Sequence, residues 1–216
     1  MKKLFSYLWP STRRFSSEIN GILEVTYING KKVLDTKNAN YSYGSLQKIL
    51  EIGLTKVDLD KVDSLLLLGM GGGSIIKSLR ETFDYKNNIV AVEIDPQIIH
   101  IAKAEFAVSA SEKLQIVEED AFQFVKNSKD QFQLIIIDLF IDTEVPPIFF
   151  GKEFCINVSK LLQTEGYLIF NAGINLAKTS KTIETVSTNF GSDFQFQHYK
   201  KVQGTNTLLV AQKGSL

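Results

Sequence analysis

Leu65-Leu66-Leu67-Leu68-Gly69-Met70-Gly71-Gly72-Gly73-Ser74 is the stretch that decides the fold of this chain. Four consecutive leucines show no alternation, so they suit a strand buried on both faces, as in a parallel sheet. The glycines that follow permit a tight turn and a close approach of backbone to a ligand. The run Ile75 to Phe83 then opens a helix whose first N–H groups face whatever sits on the turn. Strand, glycine turn and helix together make a nucleotide-cofactor loop.

Downstream, strands and helices continue to alternate. Ile89 to Glu93 reads as a strand, followed by a helix from Pro96 to Phe106 with Asp95 as its cap candidate. Leu114 to Val117 is a third strand, Ala121 to Val125 a short helix, and Phe132 to Ile137 a fourth strand ending at Asp138. A helix over Phe149 to Leu162 leads through Gly166 into strand Tyr167 to Asn171, and another helix covers Lys178 to Thr188. The last two strands, Phe194 to Tyr199 and Thr207 to Gln212, join through Gly204. Upstream, Ile22 to Leu34 reads as a β-hairpin turning at Asn29-Gly30, the strongest short hairpin signal. A polar segment, Thr36 to Ser45, then leads into a helix over Leu46 to Leu54. The expectation is an α/β protein with a mostly parallel seven-stranded sheet covered by helices on both faces, plus a small N-terminal β-hairpin. Residues 1–55 form the hairpin region and connecting helix, and residues 56–216 the cofactor domain.

Bulk properties narrow the partners. Basic and acidic side chains balance at 24 each, so no global field draws the chain to nucleic acid. Lys2-Lys3 and Arg13-Arg14 are too few for a nucleic-acid footprint. The lone Cys155 excludes an intrachain disulfide, which makes a cytoplasmic location the default. No apolar run approaches the roughly 20 residues that a membrane span needs. The basic, aromatic opening Met1 to Pro10 is too short for a secretory signal and reads as a packing arm or a homodimer contact, with contact to a membrane surface as the alternative.

Parallel sheets bind ligands at the carboxyl ends of their strands, near the point where strand order reverses. Glu93 stands there after the second strand, 24 positions beyond Gly69, where an acid can accept hydrogen bonds from both ribose hydroxyls. Asp120 follows the third strand and either accepts the exocyclic amine of adenine or caps the helix behind it. Asp138 follows three consecutive isoleucines, Ile135 to Ile137, and a carboxylate at the edge of so apolar a strand needs a partner or a function. Asp142 and Glu144 lie just beyond, solvating a loop or meeting substrate. Tyr41 and Tyr43 either cover the cofactor or pack in the core. A nicotinamide fingerprint wants a third glycine three places after Gly71, and Ser74 stands there instead. A Walker loop is excluded because no Lys-Ser/Thr pair follows the glycines. His100, His198 and Cys155 are too scattered for a metal site, so no metal is expected.

With these residues in hand, the chain resembles the spermidine synthase and spermidine-synthase-like family, within the Rossmann-like fold of class I S-adenosylmethionine-dependent methyltransferases. Gly69 to Ser74 falls where that family has its glycine-rich loop, and Val92-Glu93-Ile94-Asp95-Pro96 matches its ribose-binding segment. Glu119-Asp120-Ala121-Phe122 is similar to its Gly-Asp-Ala-Phe adenine segment. Ile136-Ile137-Asp138, with Asp142 and Val145-Pro146-Pro147, resembles the segment bearing the catalytic aspartate. The resemblance implies S-adenosylmethionine or its decarboxylated form as co-substrate, bound by Gly69, Gly71, Gly72, Gly73, Glu93, Ile94, Asp120 and Ala121. It implies Asp138 as the base that orients and deprotonates a cationic amine substrate, with Asp142, Tyr43 and Gln47 beside that substrate. Aminopropyl transfer to a polyamine is the leading expectation. Methyl transfer to a small molecule, or nucleoside binding without catalysis, are the alternatives. Two departures stand out: Gly72 occupies the place of an Asp in the synthases' loop, and Leu46-Gln47-Lys48 replaces their Tyr-His-Glu segment.

Overall fold

The computed structural model describes residues 9–36, 40–141, 144–173 and 180–214. Its centre is a seven-stranded sheet built from β5 (Ser64–Leu68), β6 (Asn88–Glu93), β7 (Leu114–Glu118), β8 (Phe132–Ile137), β9 (Leu162–Asn171), β10 (Phe194–Val202) and β11 (Asn206–Lys213). The strands lie in the order β10-β11-β9-β8-β5-β6-β7. Pairings among β7, β6, β5, β8 and β9 are parallel, and β11 runs antiparallel to both β9 and β10. Among the described residues six helices accompany them: α1 (Ser45–Leu54), α2 (Ser74–Glu81), α3 (Pro96–Phe106), α4 (Ala121–Asn127), α5 (Lys152–Leu161) and α6 (Ser180–Phe190).

The leucine run explains why β5 sits in the middle. Each of Leu65 to Leu68 is fully buried, and successive side chains point to opposite faces of the sheet. Leu65 and Leu67 therefore join one hydrophobic core, while Leu66 and Leu68 join the other. Strand β8 divides in the same way, with Leu134 and Ile136 on the first side and Ile135 and Ile137 on the second. Burying one such side chain contributes about 1.5–3 kcal/mol, so this central pair supplies much of the fold's driving force.

The N-terminal hairpin is larger than its sequence suggests. The Asn29-Gly30 turn, with φ of +50° and +73°, joins β2 (Gly21–Ile28) to β3 (Lys31–Thr36) as a primed turn requires. Strands β1 (Ser11–Ser17) and β4 (Asn40–Ser42) add on either side, making a four-stranded antiparallel sheet. The Arg13-Arg14 stretch gave no strand signal because it is a solvated edge, paired with β2 through its backbone. Leu23, Val25 and Leu34 of this sheet share one core with Ile49, Leu50 and Leu54 of α1 and with Leu65 and Leu67 of β5. That core runs unbroken across residue 55, so the N-terminal sheet is a wall of the central domain.

Two boundaries differ from the sequence reading. The single helix expected from Phe149 is a 3-10 turn (Pro147–Phe150) followed by α5, because Gly151 adopts an extended conformation with ψ of 152° and interrupts the helix. Strand β9 begins at Leu162, so Gly166 lies within it. The pairing with β8 shifts register there, and Glu165 takes a φ of +62°. Among the described residues no helix is long and apolar enough to cross a membrane.

Candidate functional site

Strand order reverses at β5, which has β6 on one side and β8 on the other. A cleft of about 1020 Å³, counted with its open mouth, lies at the carboxyl ends of these strands. Gly69, Met70 and Gly71 from the loop after β5 line it, together with Glu93 and Ile94 after β6 and Asp120 and Ala121 after β7. Asp138 to Ile141 line it after β8. Gln47 of α1 and Ile19, Asn20 and Ser42 of the N-terminal sheet close the remaining side.

The glycine loop is fixed by its neighbours. Gly69 and Met70 both donate backbone N–H groups to the Val92 carbonyl, at 3.0 and 3.1 Å. Glu93 holds the turn from below: its Oε2 accepts from Gly71 N at 2.9 Å and its Oε1 from Asp95 N at 3.2 Å. An ionised carboxylate has about four acceptor sites, so both oxygens keep capacity for ribose hydroxyls. Asp95 accepts from Gln97 N at 2.8 Å as the cap of α3, and also from Ser17 Oγ and Asn20 Nδ2. The β1–β2 turn is thereby latched beside Glu93. Asp120 caps α4 through Gln123 N at 3.0 Å while lining the cleft, so its two readings are compatible.

Gly72, Gly73 and Tyr43 lie outside the cleft wall. A side chain built on Gly72 would meet Ser42 Cβ at 3.0 Å and Oγ at 3.1 Å, and one on Gly73 would meet Val108 at 2.8 Å. The absent side chains let the loop pack closely against Ser42 of β4 and Val108, just beyond α3. Tyr43 stacks on Phe106 at 4.3 Å and donates its hydroxyl to the Gly72 carbonyl at 3.1 Å, buttressing the loop from outside. Burial pushes its phenol well above the ordinary value, with Glu81 adding to the rise. Gln47 faces the cleft, with its amide pinned by bonds to Glu51 at 3.0 Å and Ser78 Oγ at 2.8 Å. Asp142 lies outside the described residues.

Asp138 is half-buried at the end of β8, and its Oδ1 accepts from Asn171 Nδ2 at 2.9 Å. Asn171 in turn accepts from Asn206 Nδ2 at 3.0 Å. Neither asparagine was singled out from sequence, although Asn171 ends the fifth strand as Asp138 ends the fourth. Extending the strand-end rule by one strand finds it. Asn20 and Ser42 had no local signal, since only the docking of the N-terminal sheet brings them to the cleft.

The cleft's charge is one-sided. Glu93, Glu119, Asp120 and Asp138 line it, and no Lys or Arg does among the described residues. Burial pushes the Glu93 carboxyl up to about 7, against the pull of the Gly71 and Asp95 N–H groups. Burial also pushes Asp138 up to about 6, offset by the Asn171 amide. A folded state that holds a proton more tightly than the unfolded chain loses stability as that proton leaves. Glu93 therefore lowers stability as pH rises from its ordinary 4.5 through about 7. Denaturant titrations of the ligand-free protein should show the wild type losing stability relative to Glu93→Gln across that window. Parallel curves would remove this assignment. Elsewhere, Cys155 is fully buried with its thiol pushed up to about 12 by burial, His100 is exposed on α3, and His198 meets Ser187 Oγ at 3.3 Å on the outer hairpin.

A model of the spermine/spermidine synthase domain matches residues 54–214. The polyamine aminopropyltransferase of Vibrio vulnificus is 27% identical over 154 residues, covering 69% of this chain and 50% of that protein. The chain thus spans about half the length of that relative. A probable spermidine synthase from Corynebacterium glutamicum superposes with a TM-score of 0.70 at 15% identity, over 94% of this chain and 81% of that one. Human methyltransferase-like protein 13, in complex with SAH, superposes with a TM-score of 0.65 at 23% identity, over 79% and 83% of the two chains. At these identities the structural likeness speaks to the fold.

Proposed function

The chain belongs to the spermine/spermidine synthase domain family, and on that premise we propose that it transfers the aminopropyl group of decarboxylated S-adenosylmethionine to an amine, with Asp138 as the base. The observation that carries this reading is the charge of the cleft, which holds four acidic residues and, among the described residues, no Lys or Arg. Decarboxylated S-adenosylmethionine brings a sulfonium and an ammonium and no carboxylate. The carboxylated form would add a negative charge that no cation among the described lining residues receives.

Each lining residue then has a task. Glu93 receives the ribose hydroxyls, and Asp120, with Ala121 and Ile94 beside it, receives adenine. Gly69 and Gly71 let the backbone approach the nucleoside. Asp138 accepts a hydrogen bond from the acceptor amine and aligns its nitrogen with the carbon attached to sulfur. As the C–N bond forms, the C–S bond breaks and its electron pair stays on sulfur, so methylthioadenosine departs as a neutral thioether. The proton that Asp138 takes from the bound ammonium before attack, which frees the nitrogen lone pair, passes on to solvent, and the new secondary amine leaves protonated. A sulfonium leaves readily, so the protein's share is alignment and proton acceptance. At neutral pH Asp138, even raised to about 6, is mostly ionised and able to act.

One observation favours methyl transfer as a second reading. Gly72 stands where the synthases carry an acid, and Ser42 with Leu34 fills the space such a side chain would need. Titration calorimetry separates the two. Decarboxylated S-adenosylmethionine should bind at least about tenfold (1.4 kcal/mol) more tightly than S-adenosylmethionine, with methylthioadenosine also binding. Preference for the carboxylated compound would replace aminopropyl with methyl transfer, and binding of none would end the enzyme reading.

A further inference from the structure

We propose that Asn171 is a positioning residue for Asp138, held in place by Asn206 of the C-terminal antiparallel hairpin, so that the hairpin takes part in the chemistry. This rests on the reading of Asp138 as the base. Ile137 pairs with Phe170 in the parallel β8–β9 ladder, which sets Asp138 beside Asn171 at the two strand ends. Asn171 pairs in turn with Leu208 of β11, two residues beyond Asn206.

The direction of the asparagine amides follows from one backbone group. Gly173 N–H can only donate, and it lies 3.3 Å from one amide atom of Asn171, which must therefore be the oxygen. Asn206 Nδ2 donates to that same oxygen at 3.0 Å. The Asn171 nitrogen is left facing Asp138 Oδ1 at 2.9 Å. Because the Asn171 oxygen can only accept, Asn206 must present its nitrogen to it, which leaves Asn206 Oδ1 to accept from Thr205 Oγ1 at 2.8 Å. Donors thus run one way, from Thr205 to Asn206 to Asn171 to Asp138, and such chains strengthen each bond along them.

Asn171 is fully buried and Asn206 is 3% exposed, and neither lines the cleft. They act on substrate only through Asp138. With Oδ1 occupied by a donor, the proton from the amine goes to Oδ2, and the carboxylate cannot rotate to offer the other oxygen. The donor also favours the ionised form in a site where burial opposes it.

The test is the titration of Asp138 in full-length protein with ¹³C-carboxyl-labelled aspartate, its resonance assigned by its loss in Asp138→Asn. Asn171→Ala should raise the midpoint by about one pH unit, since a donor to the ionised form is lost. Asn171→Asp should raise it further, because two adjacent carboxyls share a proton. Asn206→Ala should move it in the same direction by less, and it decides the matter if the Asn171 variants fail to fold. The other carboxylates that line the cleft with Asp138 among the described residues are Glu93 on β6 and Glu119 and Asp120 after β7. They are common to all variants and cancel in the comparison. Methylthioadenosine affinity should stay within about twofold, and the acid limb of kcat/KM should follow the midpoint. An unmoved midpoint in variants that still bind methylthioadenosine would overturn the proposal. A midpoint that moves in a protein that transfers no aminopropyl group would leave the hydrogen-bond chain standing and remove the reaction assigned to it.

Discussion

Asp138→Asn is expected to lower kcat for aminopropyl transfer by about two to four orders of magnitude, the usual contribution of a positioned general base, while leaving methylthioadenosine binding unchanged. The substitution is nearly isosteric, and Asn171 Nδ2, now 2.9 Å from Oδ1, holds that oxygen as before. The other arm then presents an N–H to the amine, which can neither accept its proton nor attract its charge. Residual turnover must come from amine that is already neutral. An alkyl ammonium has a pKa near that of lysine, about 10.4, so the variant's rate should climb roughly tenfold per pH unit below that value. The wild type should instead level off above the Asp138 value of about 6. Methylthioadenosine release, followed from pH 5 to 9, distinguishes the two profiles. Unchanged turnover in the variant would remove Asp138 as base.

Much of this site is legible in the sequence because its parts sit at successive strand ends. The leucine run, the glycines, Glu93, Asp120 and Asp138 all obey one local rule, that function gathers at the carboxyl end of a parallel strand. The packing around Gly72 and Gly73 leaves no trace in the sequence, because a glycine that faces a ligand and one that faces Ser42 or Val108 look alike there. Asp95 shows the same limit from the other side. Its capping of α3 follows from Pro96 beside it, but its bonds to Ser17 and Asn20 span more than 70 residues and depend on how the N-terminal sheet docks. The relay from Asn206 to Asp138 needs the order β8-β9-β11, and strand order is a tertiary fact with no local trace.

Gly69→Ala should be among the most disruptive single-methyl changes in the chain, for a reason that joins fold to chemistry. Gly69 has a φ of +88°, where an L side chain is strained by about 1–2 kcal/mol. Its added Cβ would lie 2.2 Å from the Asp138 carbonyl oxygen and 2.9 Å from the carbonyl carbon. Both are backbone atoms, so no rotamer change relieves the overlap. Reaching ordinary contact needs a movement of about 1 Å, and every route strains a strand end. Asp138 N is bonded to Leu68 O at 2.9 Å, and Gly69 N to Val92 O at 3.0 Å, so displacing the loop pulls on β5, β6 and β8 together. The expected loss is at least about 3 kcal/mol of stability. In the molecules that still fold, a base shifted by about 1 Å should lose roughly 100-fold in rate. Gly21→Ala is the control that isolates the overlap. Its φ of +69° imposes a similar backbone strain, yet nothing lies within 4 Å of the added carbon. Gly21→Ala should therefore cost only about 1 kcal/mol and leave turnover intact. Denaturation midpoints and initial rates of the two variants settle the point. If Gly69→Ala proves no worse than Gly21→Ala, the contact between the glycine loop and Asp138 is not what requires glycine there.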